Sequence, residues 1–468
     1  MTKKEAVPKK TGPITRPKGT RDILNVDFFF YQGLFERAAE IAGYYGFTPI
    51  ETPILEKEDL FTAGIGTHTD IVEKEMYVIK GKRQGSQLVL RPEGTAPVMR
   101  AYIENGLHTL PQPAMLYYFG PFFRHDQPQR GRYREFYQFG LEMLGSSHSI
   151  SDAIIIHVTN LILKEVGFDE TTVLINSIGC KDCRQNYIKA VTNHYKKRVA
   201  ALCPHCKVRI KRNALRLLDC KDESCKSLKG EAPEAIAYLC EGCKTHFKEV
   251  LEYIEKLGIT YRIDNTLVRG LDYYSRTVFE IVEEITAKKP QEGEAQKDAP
   301  AKNEGGEEKE PEKKVPTVEP APLSIAGGGR YDYLARALGS RRDIPSVGAA
   351  IGIDRVIGSA SFKKISPRIV KKPKVYFIQI GFEAKAKSLA VIETLRKAKV
   401  PIIHSLSKDK LSIQLGMAEK SEIPFVIIIG QKEALDGTVI VRKMSTRLQD
   451  TVKVEKLAEY LKKHLGNK

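Results

Sequence analysis

No stretch of this 468-residue chain approaches the roughly 18 consecutive apolar residues needed to cross a bilayer as a helix, which excludes a helical membrane protein. Residues 1–18 carry Lys and Pro but no apolar core, so they do not read as a secretory signal. Residues 1–16 are expected to form a flexible basic tail on a cytoplasmic protein. Aromatic residues are missing from 287–322, where six prolines and sixteen charged residues occur in thirty-six positions. Such a segment cannot bury enough apolar surface to offset its ordering entropy, so a disordered insertion inside a domain is expected there. Cysteine is missing everywhere outside 180–243.

An acidic excess is missing too. The net charge is +17, with 19 Lys+Arg against 10 Asp+Glu in 372–468 and 16 against 8 in 180–250. Those segments contribute +9 and +8, so the remainder of the chain is balanced. Positive charge segregated in this way suits a polyanion that lies across two domains and presents one end to a third. The length itself exceeds what one core serves, and two to four domains are expected.

The eight cysteines pair as Cys180/Cys183, Cys203/Cys206, Cys220/Cys225 and Cys240/Cys243. In a cytosolic chain these spacings read as metal ligands rather than disulfides, because a two-residue gap lets both thiolates converge on one tetrahedral ion. Up to two structural zinc ions are expected, each held by four thiolates. Which pairs combine stays open.

Apolar residues at helical spacing (Phe30, Leu34, Ala38, Ile41, Tyr45) mark an amphipathic helix over 27–45. Residues 47–55 read as extended, and Pro53, lacking a backbone donor, suits an edge or interface strand. Aromatic-rich strands at 115–124 and 135–144, joined by the polar loop 125–134, predict a long antiparallel hairpin. A buried helix is expected over 151–167, and helices with cysteine-marked turns over 180–257. After 371–373, strands at 375–380, 402–405 and 425–430 alternate with helices at 384–398 and 410–419, which indicates an α/β domain with a largely parallel sheet. A strand at 438–442 and a helix at 454–465 complete it. The expected domains are 17–365, containing a helical insertion at 175–257 and the segment 287–322, and 372–468.

Two strings carry the chemistry: Arg269-Gly270-Leu271-Asp272-Tyr273-Tyr274 and Ala326-Gly327-Gly328-Gly329-Arg330-Tyr331-Asp332. Each joins a guanidinium to glycines and phenols, groups that hold an anionic, charge-developing substrate close to backbone. A glycine-rich string alone is usually a turn. Here Pro53, then Arg124 in Phe123-Arg124-His125-Asp126, then Arg355 in Gly352-Ile353-Asp354-Arg355 occur in the order of motifs 1, 2 and 3 of class II aminoacyl-tRNA synthetases. With these in place, the two strings resemble the signature motifs of histidyl-tRNA synthetases, and the resemblance runs from Pro17 to the C-terminus apart from 287–322.

The resemblance implies an α+β catalytic domain, an antiparallel sheet flanked by helices, followed by an α/β anticodon-binding domain, in a homodimer joined through motif 1. It implies that Arg124 and Arg355 grip the α- and γ-phosphates of a bent ATP bound with Mg2+. Arg269 would stabilise the pentacoordinate phosphorus in place of one divalent metal. Glu93, Thr95 and Gln138 would meet the α-amino group of L-histidine, and Glu142 the imidazole. Gln138 and Glu142, four apart on a strand, share one face. Tyr273 and Tyr274 would close over the substrate, with Tyr331 in the pocket wall. Asp126, one methylene shorter than the family's usual Glu, would contact adenine. Gln129 and Arg134, in the basic loop 128–134, would read the acceptor end of tRNA(His). The implied activity is histidine activation by ATP and transfer to the tRNA 3′ end, in translation. A catalytically silent relative, such as the synthetase-like regulatory subunit of histidine biosynthesis, would lack the arginines and the tail. A zinc-dependent RNA-binding protein would leave three ordered arginine motifs without purpose.

Overall fold

The computed structural model describes residues 13–67, 69–79, 87–128, 131–220, 222–284, 324–368, 373–404 and 410–465. Most of the expected tail, and all of 287–322, lie outside the described residues. The chain divides into two compact units, Met1–Pro367 and Arg368–Lys468.

The first unit is built on an eight-stranded sheet. Across it run Thr48–Pro49, Ala114–Phe123, Glu135–Leu144, Ser346–Gly352, Ser324–Arg330, Ser275–Glu283, Thr171–Ser177 and Tyr261–Ile263. The six inner strands are antiparallel, and each outermost strand joins in parallel. The expected hairpin is continuous from Ala114↔Leu144 to Phe123↔Glu135. Period-two alternation then separates the faces. Phe139, Leu141, Met143, Val347, Ala349 and Ile351 pack against Leu34, Ala38 and Ala42 of the helix Asn25–Tyr44 and Ile155, Ile156 and Ile162 of Ser149–Glu165. The intervening residues face the other way.

That alternation overturns one expectation. Arg330, expected to face a substrate, lies on the core side and is fully buried. It donates to the Ser146 carbonyl at 2.7 Å and the His148 carbonyl at 3.0 Å, and pairs with Asp152. Burial alone would raise the Asp152 carboxyl, but Arg330 and His246 beside it outweigh that and hold it at about 2. Since Gly327 and Gly329 face the site, Gly328 and Arg330 must face the core.

The strands Thr171–Ser177 and Tyr261–Ile263 are parallel neighbours, and parallel neighbours need a crossover. Here the crossover is the helical insertion: Lys181–Lys196, Pro204–Arg212, Glu223–Gly230 and Glu241–Lys256. It has a small core of its own around Tyr187, Val191, Tyr195, Ile210, Leu215 and Leu217.

The second unit has a five-stranded sheet ordered Ile402–His404, Val375–Gln379, Phe425–Ile429, Thr438–Lys443 and Gln449–Lys453. The first three strands are parallel, and each of the last two pairs antiparallel with the strand before it. Gln449–Lys453 escapes sequence reading because only Val452 in it is buried, so no apolar period marks it. Among the described residues, no helix is long and apolar enough to cross a membrane.

Candidate active site

The face of the large sheet opposite its core is nearly stripped of side chains. Register aligns Gly120, Gln138 and Gly352 in one row, then Tyr118, Gly140, Ala350 and Gly327, then Glu142, Gly348 and Gly329. The glycines make room for the chain's own groups. A Cβ on Gly140 would overlap the Tyr118 ring, and one on Gly348 would overlap the Glu142 carboxylate. A Cβ on Gly327 would lie 2.7 Å from Arg269 Nη1, and one on Gly329 would lie 2.9 Å from the Tyr274 ring. Gly140→Ala is therefore expected to displace Tyr118, costing about 1–3 kcal/mol as overpacking does, with weaker binding of whatever small ligand this face holds. Urea unfolding alongside steady-state kinetics checks this.

Two carboxylates are buried above this floor. Glu142, 1% exposed, accepts from the Thr95 hydroxyl at 2.7 Å and from the Tyr331 hydroxyl at 2.5 Å. Burial nevertheless pushes its carboxyl up to about 8. Glu93 accepts from the backbone amides of Thr95 at 2.9 Å and Ala96 at 2.8 Å, at the start of the helix Thr95–Glu104. Tyr273 donates to it at 3.2 Å, and burial raises this carboxyl as well. Thr95 thus links both carboxylates, by its amide to one and its hydroxyl to the other. Tyr118, Tyr273, Tyr274 and Tyr331 are all buried around the pair, with Tyr273 and Tyr274 centroids 4.7 Å apart. A cluster of phenols around two carboxylates suits a small ligand rich in N–H donors.

Three guanidiniums supply the opposite charge. Arg124 donates from Nε to the Pro92 carbonyl at 2.9 Å and sits 5.3 Å from the Phe136 centroid. Arg269 pairs with Glu280 and lies 5.9 Å from the Tyr274 centroid. Arg355 donates to the Ser324 carbonyl at 2.6 Å. Burial, and then Arg132, Arg124 and Arg269, lower the pKa of Arg355, partly offset by Glu280. Cations close enough to disfavour one another's charge call for a polyvalent anion.

The remaining expected site residues are less committed. Gln138 is half-buried on the floor. Asp126 pairs with Arg132 at 3.2 Å and accepts from the Gln127 amide. Arg134 turns inward, donating to the Asp126 carbonyl at 3.2 Å and the Lys18 carbonyl at 3.3 Å. Gln129 lies outside the described residues. Pro53 is exposed between the short strands Thr48–Pro49 and Leu55–Lys57. Sequence reasoning missed Tyr118, Glu280 and Asp354. Glu280 left a signal, an acid in the apolar run Val278, Phe279, Ile281, Val282. So did Asp354, which accepts from the Tyr31 hydroxyl and the Tyr137 amide, both at 2.6 Å, and adjoins Arg355. Tyr118 left none, being one of several aromatics in its strand.

The antiparallel sheet with its arginine-bearing hairpin and its final strand–helix define a class II aminoacyl-tRNA synthetase fold. The family model for histidyl-tRNA synthetase matches residues 19–290, and that for an anticodon binding domain matches 374–464. A histidine--tRNA ligase of Desulforamulus reducens is 37% identical over 448 residues, covering 96% of this chain and 99% of that one. One from Caldicellulosiruptor saccharolyticus is 38% identical, with the same coverage. Among solved structures, the apo histidyl-tRNA synthetase of S. aureus superposes with a TM-score of 0.72 at 28% identity, covering 96% of this chain and 99% of that one. The chain belongs to the histidyl-tRNA synthetase family.

Proposed function

We propose that this chain is a histidine--tRNA ligase. It condenses L-histidine with ATP to histidyl-adenylate and pyrophosphate, then passes histidine to the 3′ end of tRNA(His), as a cytoplasmic homodimer. Membership of the family implies ATP, a divalent metal ion, histidine and tRNA as reactants and partners. The observation that carries the reading is the side-by-side arrangement of two opposite subsites. Glu93 and Glu142 among four tyrosines suit the ammonium and imidazole of histidine, while Arg124, Arg269 and Arg355 suit a triphosphate. Mg2+ enters with ATP as its complex.

In this reading Arg124 and Arg355 hold the two ends of the triphosphate, and Arg269 meets the charge that grows on the α-phosphorus. Glu93, with Thr95 and Gln138, receives the α-amino group, Glu142 the ring, and Tyr331 orients Glu142. Asp126 and the loop residues Gln129 and Arg134 remain the candidates for adenine and acceptor-end contact; Arg134 would have to leave Lys18 to take part. The cysteines form two groups whose four sulfurs lie within 4.8 Å of one another: Cys180, Cys183, Cys240 and Cys243, and Cys203, Cys206, Cys220 and Cys225. We assign each group a structural zinc ion, since four converging thiolates are the donor set that ion takes. The functional reading is tested by charging: the enzyme should esterify tRNA(His) transcripts with histidine and leave other transcripts uncharged. Charging of a non-histidine transcript at comparable efficiency would overturn it.

A further inference from the structure

The cysteine groups stand where the insertion meets the catalytic machinery. Cys180 precedes the helix Lys181–Lys196, and Cys240 precedes the helix Glu241–Lys256. The backbone amide of each donates to the second sulfur of the other pair: Cys180 to Cys243 Sγ at 3.3 Å, and Cys240 to Cys183 Sγ at 3.1 Å. Two helix starts, the first and the last of the insertion, therefore face one shared centre. Backbone donors aimed at sulfur are the bonds a metal-bound thiolate accepts. The second group repeats part of this, with the Cys203 amide donating to Cys225 Sγ at 3.4 Å. It lies within the segment that the first group closes.

Beside each group stands an arm that reaches the Arg269–Tyr274 string. Next to Cys183, Arg184 donates from Nη1 to the carbonyls of Asp272 at 2.7 Å and Tyr274 at 3.1 Å. The strand ladder continues through the same spot, because the Arg276 amide donates to the Gly179 carbonyl at 2.8 Å. From the second group, the helix Pro204–Arg212 and the turn after it send Asn213 to Asp272 Oδ1 at 2.7 Å. Arg209 and Arg216 both reach Asp70 Oδ2 at 2.9 Å. Asp272 is thus held by its own amide on the Ile65 carbonyl, by its carbonyl on Arg184 and by its side chain on Asn213. Two residues of the string, Tyr273 and Tyr274, wall the proposed histidine pocket.

We propose that the first tetrathiolate centre is a zinc staple that sets the histidine-binding string through Arg184, which makes Arg184 a positioning residue and histidine affinity dependent on the metal. This rests on the histidine-activating reading above. The insertion then serves the activation step as well as any contact with tRNA. Within the string Arg184 reaches the Asp272 and Tyr274 carbonyls and, at 4.0 Å, the Asp272 carboxylate, so its effect appears in the geometry of Tyr273 and Tyr274 rather than in charge at the phosphates.

The test uses the full chain and three variants: Cys180→Ser/Cys183→Ser, Arg184→Gln and Arg184→Lys. Elemental analysis of the parent is expected to give two zinc ions per chain, falling to one in the double serine variant and staying at two in both Arg184 variants. In pyrophosphate exchange, the double serine and Arg184→Gln variants are expected to raise the histidine KM about tenfold, an effect of the size that one charge-assisted hydrogen bond is worth. Their ATP KM should change less than threefold, and Arg184→Lys should recover part of the loss. Two zinc ions in the parent with an unchanged histidine KM in either the double serine or the Arg184→Gln variant would overturn the coupling and leave the zinc assignment standing. Iron in place of zinc, or no metal with all eight thiols titratable in the native protein, would overturn the metal assignment and the coupling with it. Exchange with an amino acid other than histidine would instead refute the functional reading.

Discussion

Replacing Arg269 with alanine is expected to slow histidyl-adenylate formation by on the order of 10²–10³, the loss typical of one preorganised electrostatic group. KM for ATP and for histidine should change little. Attack by the histidine carboxylate places new negative charge on the equatorial oxygens of the α-phosphate, and only a cation already in place lowers that barrier without reorganisation. Arg269 has the required restraint. Glu280 pairs with it on one side, Tyr274 stacks near it, and the missing side chain at Gly327 leaves its guanidinium against the sheet floor. Arg124 and Arg355 remain to bind the triphosphate, which is why ground-state binding should survive. Single-turnover adenylation in a rapid-quench experiment reads the chemical step alone. A near-normal rate in this variant would show that Arg269 is not the group that meets the transition state.

The second large effect is expected at Glu142, and it concerns selectivity. A neutral imidazole carries one N–H donor and one acceptor nitrogen. The account gives the donor to Glu142 and the acceptor to a phenol of Tyr273 or Tyr274. An apolar side chain entering that pocket would leave a buried carboxylate and a phenol unpaired. Such asymmetry rejects substrates by roughly 10⁴–10⁵ without editing. Glu142→Gln should raise the histidine KM about 10- to 100-fold and reduce discrimination by a similar factor, with the ATP KM little changed. If the variant lost ATP and kept histidine, Glu142 would belong to the nucleotide subsite.

Burial gives Glu142 a second, pH-dependent signature. Its carboxyl is raised from 4.5 to about 8, so the folded protein holds this proton more tightly than the unfolded chain. The contribution to stability therefore falls as pH rises from 4.5 to about 8, and Glu142→Gln should remove that fall. The ionised carboxylate accepts the ring N–H more strongly than the neutral acid does, so kcat/KM for histidine should rise toward pH 8 in the parent and lose that limb in the variant.

The fold was legible wherever a period could be read. The aromatic alternation of the hairpin gave both strands to within a residue, and the helical spacing from Phe30 to Tyr45 gave the helix Asn25–Tyr44. Strand Gln449–Lys453 was not legible, because a polar edge carries no apolar period. For the site, the ordered arginines were legible as a set, but the direction of each side chain was not. Arg330 and Tyr331 are adjacent, yet one is spent on Asp152 and the other on Glu142. Only the register of Ser324–Arg330 against its neighbours decides between them. The pairing of the cysteines was equally hidden, since spacing joins near neighbours while Cys180 and Cys243 meet only through the packing of two helices.

Most directly, the central claim is tested by ATP–pyrophosphate exchange with each of the twenty amino acids in turn. The account predicts exchange with histidine, at least 10⁴-fold above any other amino acid, and its loss in Arg269→Ala. Exchange with a different amino acid, or none with any while ATP still binds, would contradict it.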